Sequence, residues 1–350
     1  MAASEPCASA TQATASSSAV IQGTCETCKL GPYRFHHEFV DNDDKALDFL
    51  RTHGVLPRGV QCPHCGKACT LDRINHRWRC RSSFTVRATK VSKKRRVQCT
   101  YTVSDYKGTF LERSCSSPWQ ILVFTNQFLL KSWSHEMAMH ATDISLNTSI
   151  DWRSFCSEVT LAWLEEQEPI GGVGKQVEID ETFFCKRKHN VGRGLSKIWV
   201  FGGIERNSDR FFLVPLVDEH EGRSAAVLVP LIKKFILPGT TVISDCWRSY
   251  SKLCDEGFEH WTVNHSVNFV DPSNPEIHTQ HVERLWLDFK QWTKRPGLSR
   301  KYMRQYVARY LFSRRTGENR QHEFLRAAGR LYPHISQRPD GIKTIMTKNN

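Results

Sequence analysis

The spacing of apolar positions changes along this chain, and each change marks a different kind of structure. Between residues 176 and 264, apolar runs of strand length alternate with turn chemistry. Strands are predicted at 176–182, 197–205 and 210–217, with a turn at Asn207-Ser208-Asp209. A helix follows over 224–235 and is closed by Pro238-Gly239. A fourth strand is predicted at 240–245, a helix at 247–255 ending near Gly257, and a fifth strand at 259–264. Beyond a Pro/Asn-rich loop (271–278), Val282, Trp286 and Phe289 recur at helical spacing, and a basic helix is predicted over 299–314.

Earlier in the chain the pattern is helical. Apolar helices are predicted at 118–131 and 134–141, then a turn at Ile144-Ser145-Leu146-Asn147, then a longer helix at 148–166. A helix-turn-helix and a plain three-helix bundle satisfy this pattern equally. Pro169 and Gly171-Gly172 mark a linker. Upstream, Lys45–Leu50 reads as a short helix, and the Arg-rich stretch from Cys62 to about Phe110 as strands. The expected organisation is a disordered tail (1–24), a cysteine-bearing DNA-binding region (25–115), a helical DNA-binding or linker region (116–170), an α/β domain (171–316) and a basic C-terminal tail (317–350). Three strands, a helix, then alternating strands and helices is the element order of a ribonuclease-H-like mixed five-stranded sheet with flanking helices.

Charge sharpens this picture. The net charge is +13, but residues 58–113 carry +11 and residues 284–330 carry +10, so the remainder is acidic. Two basic blocks suggest a polyanion gripped at two places, which points to nucleic acid. Within the first block, Arg79, Arg81 and the run Lys93, Lys94, Arg95, Arg96 are candidates for phosphate contact, and the run also fits nuclear import. No stretch of 18 apolar residues exists, and the N-terminus lacks the basic start and apolar block of a signal peptide.

Thirteen cysteines without a secretory signal favour metal binding over disulfides. Cys62-Pro63-His64-Cys65-Gly66 forms half of a zinc ribbon, and Cys80 supplies a third thiolate. Position 83 is Ser, so Cys99 becomes the expected fourth ligand of Zn²⁺, with Cys69, His64 and His76 as alternatives. Cys25 and Cys28 form another Cys-x-x-Cys pair without an obvious partner pair. His36 and His37 could complete it.

Three carboxylates stand where metal chemistry could use them. Asp180 and Asp245 end predicted strands, and Glu283 lies on the helix defined by Val282, Trp286 and Phe289. Such a set suits hard cations, Mg²⁺ or Mn²⁺, and two-metal phosphoryl transfer. Glu178 and Glu181 are the decoys, and Glu181 should face away from Asp180. His265, His278 and His281 cluster near the last elements of this site. His265 and His278 are kept as accessory candidates.

At these residues a resemblance becomes specific. Glu178-Ile-Asp-Glu-Thr, Lys186-Arg-Lys-His-Asn, Trp199-Val-Phe-Gly-Gly-Ile-Glu-Arg, Ile243-Ser-Asp-Cys-Trp, Val263-Asn-His-Ser and His278-Thr-Gln-His-Val-Glu-Arg-Leu-Trp closely resemble DDE transposases of the Merlin superfamily. The one departure is Gln280, where the family has Asn. The resemblance implies that Asp180, Asp245 and Glu283 are catalytic, and that the enzyme cuts double-stranded DNA at terminal inverted repeats and joins the 3′-OH ends to target DNA. Lys186, Arg187 and Lys188 join the DNA-contact candidates. A homo-oligomer, dimer or higher, acting on DNA in the nucleus is expected. The rival expectations are a domesticated DNA-binding protein without cleavage activity and a simple metal-dependent nuclease.

Overall fold

In the computed structural model, which describes residues 25–86, 95–184, 198–217, 222–263, 275–293 and 299–338, the chain begins with a 3-10 turn at Glu26–Lys29. Helices α1 (Pro32–Phe39) and α2 (Asp43–Thr52) follow. The Asn42 side chain accepts the Lys45 N–H at 2.9 Å, and Asp43 and Asp44 sit in the first turn of α2, so both cap and charge favour a start there. The sequence pattern foresaw the core of α2 but not α1.

Next come five short strands: β1 (Thr70–Asp72), β2 (Arg77–Arg79), β3 (Ser83–Val86), β4 (Arg95–Gln98) and β5 (Thr102–Ser104). β1, β2 and β5 form one antiparallel sheet, and β3 pairs with β4 in a hairpin. This small module is tied to α2 by one carboxylate. Asp105 is 0 % exposed and accepts two bonds from the Arg51 guanidinium (2.9 and 2.7 Å) and one from Trp78 Nε1 (2.8 Å).

Helices α3 (Pro118–Phe128), α4 (His135–Thr142) and α5 (Leu146–Glu165) build a bundle with α1 and α2. Ser145 caps α5 by accepting the Thr148 N–H. The exposed face of α5 carries Leu146, Ile150, Asp151, Phe155 and Glu158, with no exposed Lys or Arg. The chain then crosses by β6 (Ile170–Gly171) into the α/β region.

That region contains β7 (Gln176–Phe184), β8 (Ile198–Glu205), β9 (Phe211–Leu216), α6 (Ala225–Phe235), β10 (Ile236–Leu237), β11 (Thr241–Asp245), β12 (Glu259–Val263) and α7 (Gln280–Trp292). Five of its strands form a mixed sheet in the order β12-β11-β7-β8-β9. β8 runs antiparallel to β7 and β9, whereas β11 is parallel to both β7 and β12. β7 is central and sandwiched. Val177 and Ile179 pack with α6, while Phe184 packs against Phe289 of α7 on the other face. The helix expected at 247–255 is instead two 3-10 turns, Arg248–Tyr250 and Cys254–Glu256, broken between Ser251 and Leu253.

Helix α8 (Met303–Thr316) matches the predicted basic helix. The stretch expected as a basic tail from 317 instead begins with helix α9 (Arg320–Leu331), whose Phe324, Leu325, Ala327 and Ala328 enter the same core as Phe35 and Leu47. Gly329 lies so close to the Gly54 carbonyl that a Cβ there would collide with it. Phe324, Leu325, Ala328 and Leu331 recur at helical spacing along it, and the polar residues Gln321 and His322 are buried as well. Among the described residues, no helix is long and apolar enough to cross a membrane. The expectations for residues 1–24, Lys93, Lys94, Lys186, Arg187, Lys188 and His265 lie outside the described residues.

Removing Asp105 tests the link between α2 and the small module. Asp105→Ala strands the Arg51 guanidinium and the Trp78 N–H, and is expected to cost about 3–5 kcal/mol in a urea unfolding titration. A loss below about 1 kcal/mol would show that water replaces the carboxylate there.

Candidate active site and cysteine clusters

The carboxylate site is built on β7 and β11. Their parallel register pairs Thr241 with Gln176 and Ile243 with Glu178, and continuing it brings Asp245 level with Asp180. Asp180 faces α7 and accepts the Trp286 indole N–H at 2.9 Å. Burial raises its carboxyl to about 6, against the Trp286 bond, and the negative charges of Asp245 and Glu283 push the same way. Asp245 is half-buried and accepts the Trp247 N–H at 3.0 Å. Glu283 stands exposed on the first turn of α7 and contacts Thr279 at 3.4 Å. The three carboxylates are electrostatic neighbours, but their oxygens do not form a cluster as tight as the three groups within 4.8 Å described next.

Glu181 turns to the opposite face, beside Tyr250, and its burial raises it to about 7. A fully extended strand requires this alternation.

Glu178 has a role that sequence reasoning did not find. It is 0 % exposed, and its Oε2 accepts the backbone N–H groups of His281 (2.8 Å) and Val282 (3.1 Å). A strand carboxylate therefore caps α7, whose own cap residue Thr279 makes no side-chain cap bond. Glu178 Oε1 meets Arg206 Nε at 2.7 Å and His281 Nδ1 at 2.6 Å. Arg206 spends its other donors on Gln176 Oε1, the Glu276 carbonyl, and the carbonyl and Nδ1 of His278. Since guanidinium only donates, His278 Nδ1 must be an acceptor, and this ring belongs to the cap of α7. Glu178, His278 and His281 lie within 4.8 Å of one another, yet the adjacent Arg206 cation already satisfies the carboxylate. This group is a structural lock. The motif containing Arg206 carried the only sequence signal for it.

Gly202 completes the geometry. It pairs with Asp180 across β7 and β8, and a Cβ there would lie 2.6 Å from Trp286 Cη2. The missing side chain is what lets Trp286 reach Asp180. At the rim, Arg223 lies between Trp199 and the exposed Trp247, 3.8 and 4.5 Å from the two ring centres.

The cysteine cluster forms as the spacing predicted. The Sγ atoms of Cys62, Cys65, Cys80 and Cys99 lie within 4.8 Å of one another, with Cys62–Cys99 and Cys65–Cys80 each at 3.5 Å. Tetrahedral zinc thiolates sit about 3.8 Å apart, so this donor set is compatible with Zn²⁺. Cys69 is buried nearby but outside the four, and His64 meets Tyr101 edge-on. Backbone bonds from Cys80 N to Tyr101 O and from Cys99 N to Ser82 O hold the second pair. Burial resists ionisation of Cys80, but hydrogen bonds with Ser82 outweigh it and bring that thiol down to about 6. Around the cluster, Arg77, Arg79, Arg81, Arg95 and Arg96 are exposed, and Trp78 and Cys80 alternate inward between them.

Gly202→Ala is expected to push Trp286 off Asp180 and to cost about 1–3 kcal/mol of stability by overpacking. The Trp286 environment, followed by fluorescence, should change with it. Wild-type stability and emission in this variant would contradict the packing described.

Residues 171–314 match the family model of the ISXO2-like transposase domain. A 50-residue stretch, 14 % of this chain, is 36 % identical to an uncharacterized transposase-like protein of Haemophilus influenzae. That stretch spans 41 % of the relative. The matched residues 171–314, which carry the mixed sheet and all three carboxylates, are thus similar to ISXO2-like transposase domains.

Proposed function

We propose that this protein is a DNA transposase that cuts at terminal inverted repeats and joins the freed 3′-OH ends to target DNA. The observation that carries this reading is the meeting of Asp180 and Asp245 on adjacent parallel strands beneath a helix bearing Glu283. The strand order β12-β11-β7-β8-β9 supports a ribonuclease-H-like catalytic domain over 171–316.

The donor set fits hard divalent cations. Asp180 is desolvated and crowded by two like charges, and a bound cation would relieve both penalties. Asp180, Asp245 and Glu283 would hold Mg²⁺ or Mn²⁺, which supplies charge neutralisation for a phosphodiester in its transition state. Trp286 orients Asp180, and the Glu178 cap holds α7 so that Glu283 stays in register. In the first step water attacks phosphorus and a 3′-OH leaves. In the second that 3′-OH attacks a target phosphodiester and displaces the target's 3′-oxygen. No side chain is covalently modified in either step.

DNA would lie along the basic surfaces. Arg79, Arg81, Arg95 and Arg96 are exposed on the zinc-compatible module and suit backbone phosphates. The Trp199–Arg223–Trp247 stack at the rim of the site suits an unpaired base. Action as a homo-oligomer in the nucleus completes the proposal.

Asp180→Asn, Asp245→Asn and Glu283→Gln are each expected to abolish cleavage of DNA carrying the element's ends while DNA binding persists. Mn²⁺ should raise the Tm of the wild-type protein and not that of Asp180→Asn. Cleavage near the wild-type rate in any of the three variants sinks the assignment. Cutting without joining would identify a simple nuclease, and binding without cutting a domesticated protein.

DNA affinity should fall steeply with salt, with a slope near −0.9 per phosphate contact. Neutralising Arg79, Arg81, Arg95 and Arg96 is expected to flatten that slope by up to about 3.6, read from titrations across a salt series. An unchanged slope would remove this surface from the DNA interface.

A further inference from the structure

The second cysteine pair has partners that its spacing did not reveal. Cys25 caps the 3-10 turn at Glu26–Lys29 and Cys28 lies within it, with the Cys28 N–H bonded to the Cys25 carbonyl at 3.0 Å. His36, expected as a partner, instead uses Nε2 on the Ala141 carbonyl at 2.9 Å. The side chain that meets the pair is His53, at the C-terminal end of α2 and 1 % exposed. The ligand atoms of Cys25, Cys28 and His53 all lie within 4.8 Å of one another, and Cys28 Sγ is 3.2 Å from His53 Nε2. Thiolate and imidazole ligands of tetrahedral zinc stand about 3.5 Å apart.

The orientation of His53 is set from behind. Its Nδ1 lies 2.8 Å from the Phe49 carbonyl, which can only accept, so Nδ1 carries the proton and Nε2 turns a lone pair to the cysteines. Backbone carbonyls orient zinc-bound histidines in this way. A second histidine stands beside it, outside the 4.8 Å group formed by the other three. His322 of α9 is 2 % exposed, its ring centre is 5.2 Å from that of His53, and neither of its nitrogens has a hydrogen-bond partner. A buried imidazole with both nitrogens unsatisfied is costly, and a bound ion would answer it.

We propose that Cys25, Cys28, His53 and His322 form a second zinc site, separate from the four-cysteine cluster. Two thiolates and two neutral imidazoles neutralise the ion, and all four side chains are fixed by elements that pack on one another. The site would tie the first turn of the described chain to α2 and α9.

The test uses the full-length protein, purified with zinc and dialysed, with metal measured by plasma mass spectrometry. Two zinc ions per chain are expected, falling to one in the Cys25→Ser/Cys28→Ser double variant and to one in Cys62→Ser. His322→Gln should release one of the two ions to a chelator at a concentration at least tenfold lower than wild type requires. A chain holding a single zinc, lost in Cys62→Ser and kept in the double variant, overturns the proposal. So does a His322→Gln variant that resists chelator as wild type does. Should a variant fail to fold, cobalt loading of the wild-type chain decides. Two tetrahedral sites give two sets of ligand-field bands, the two-thiolate set at shorter wavelength. A four-thiolate spectrum alone would overturn the second site.

Discussion

A carboxylate with no access to water governs the geometry of the α/β region. Glu178 sits on the central strand, and burying its charge is tolerable only because Arg206, His281 and two helix N–H groups all converge on it. The arrangement is coupled. The helix end needs a negative charge, the arginine needs an acceptor, and the carboxylate needs both. Because the cap comes from a strand and not from the residue preceding the helix, it fixes where α7 begins and its position over the sheet. Glu283 directly follows the capped Val282 on α7, so its distance from Asp180 is set by a contact that neither residue makes.

The other half of the geometry is steric. Trp286 can approach Asp180 only because position 202 offers no Cβ. Packing and polarity therefore act on the same carboxylate from two sides: the indole N–H orients it while the surrounding apolar groups strip its water. A carboxylate desolvated in this way beside two like charges is unfavourable as an anion, and a cation beside it would relieve the penalty. The Asp105–Arg51–Trp78 contact repeats this logic at the other end of the molecule, where one buried acid joins two structural units.

Much of this was legible in the sequence because it is written in local periodicity. The five strands, α5, α6 and α7 announce themselves by spacing, and Asp245 stands at a strand end as expected, whereas Asp180 lies in the middle of β7, which runs on to Phe184. The four-cysteine cluster was legible because thiolates have few other uses at that spacing, and Cys99 was the natural replacement for the residue missing at Ser83. What stayed hidden depends on contacts between distant residues. Glu178 looked like a decoy because its partners lie 28 to 104 positions away. Helix α9 was passed over because its basic residues read as a tail, although Phe324, Leu325 and Ala328 recur at helical spacing, and the 3-10 turns after Asp245 were hidden by a sequence whose composition also suits a helix.

Helix α9 also imposes an order in time. Its Phe324 and Leu325 share a core with Phe35, Phe39 and Leu47, and Gly329 nestles against Gly54. A ribosome adding roughly 5–20 residues per second needs on the order of fifteen to fifty-five seconds to travel from that glycine contact's first member to its second. Through that interval α1 and α2 wait with apolar surface uncovered. The N-terminal helices are thus made first and finished last, and in the cell they depend on chaperones, or on temporary cover by α3, until the chain's final helix emerges.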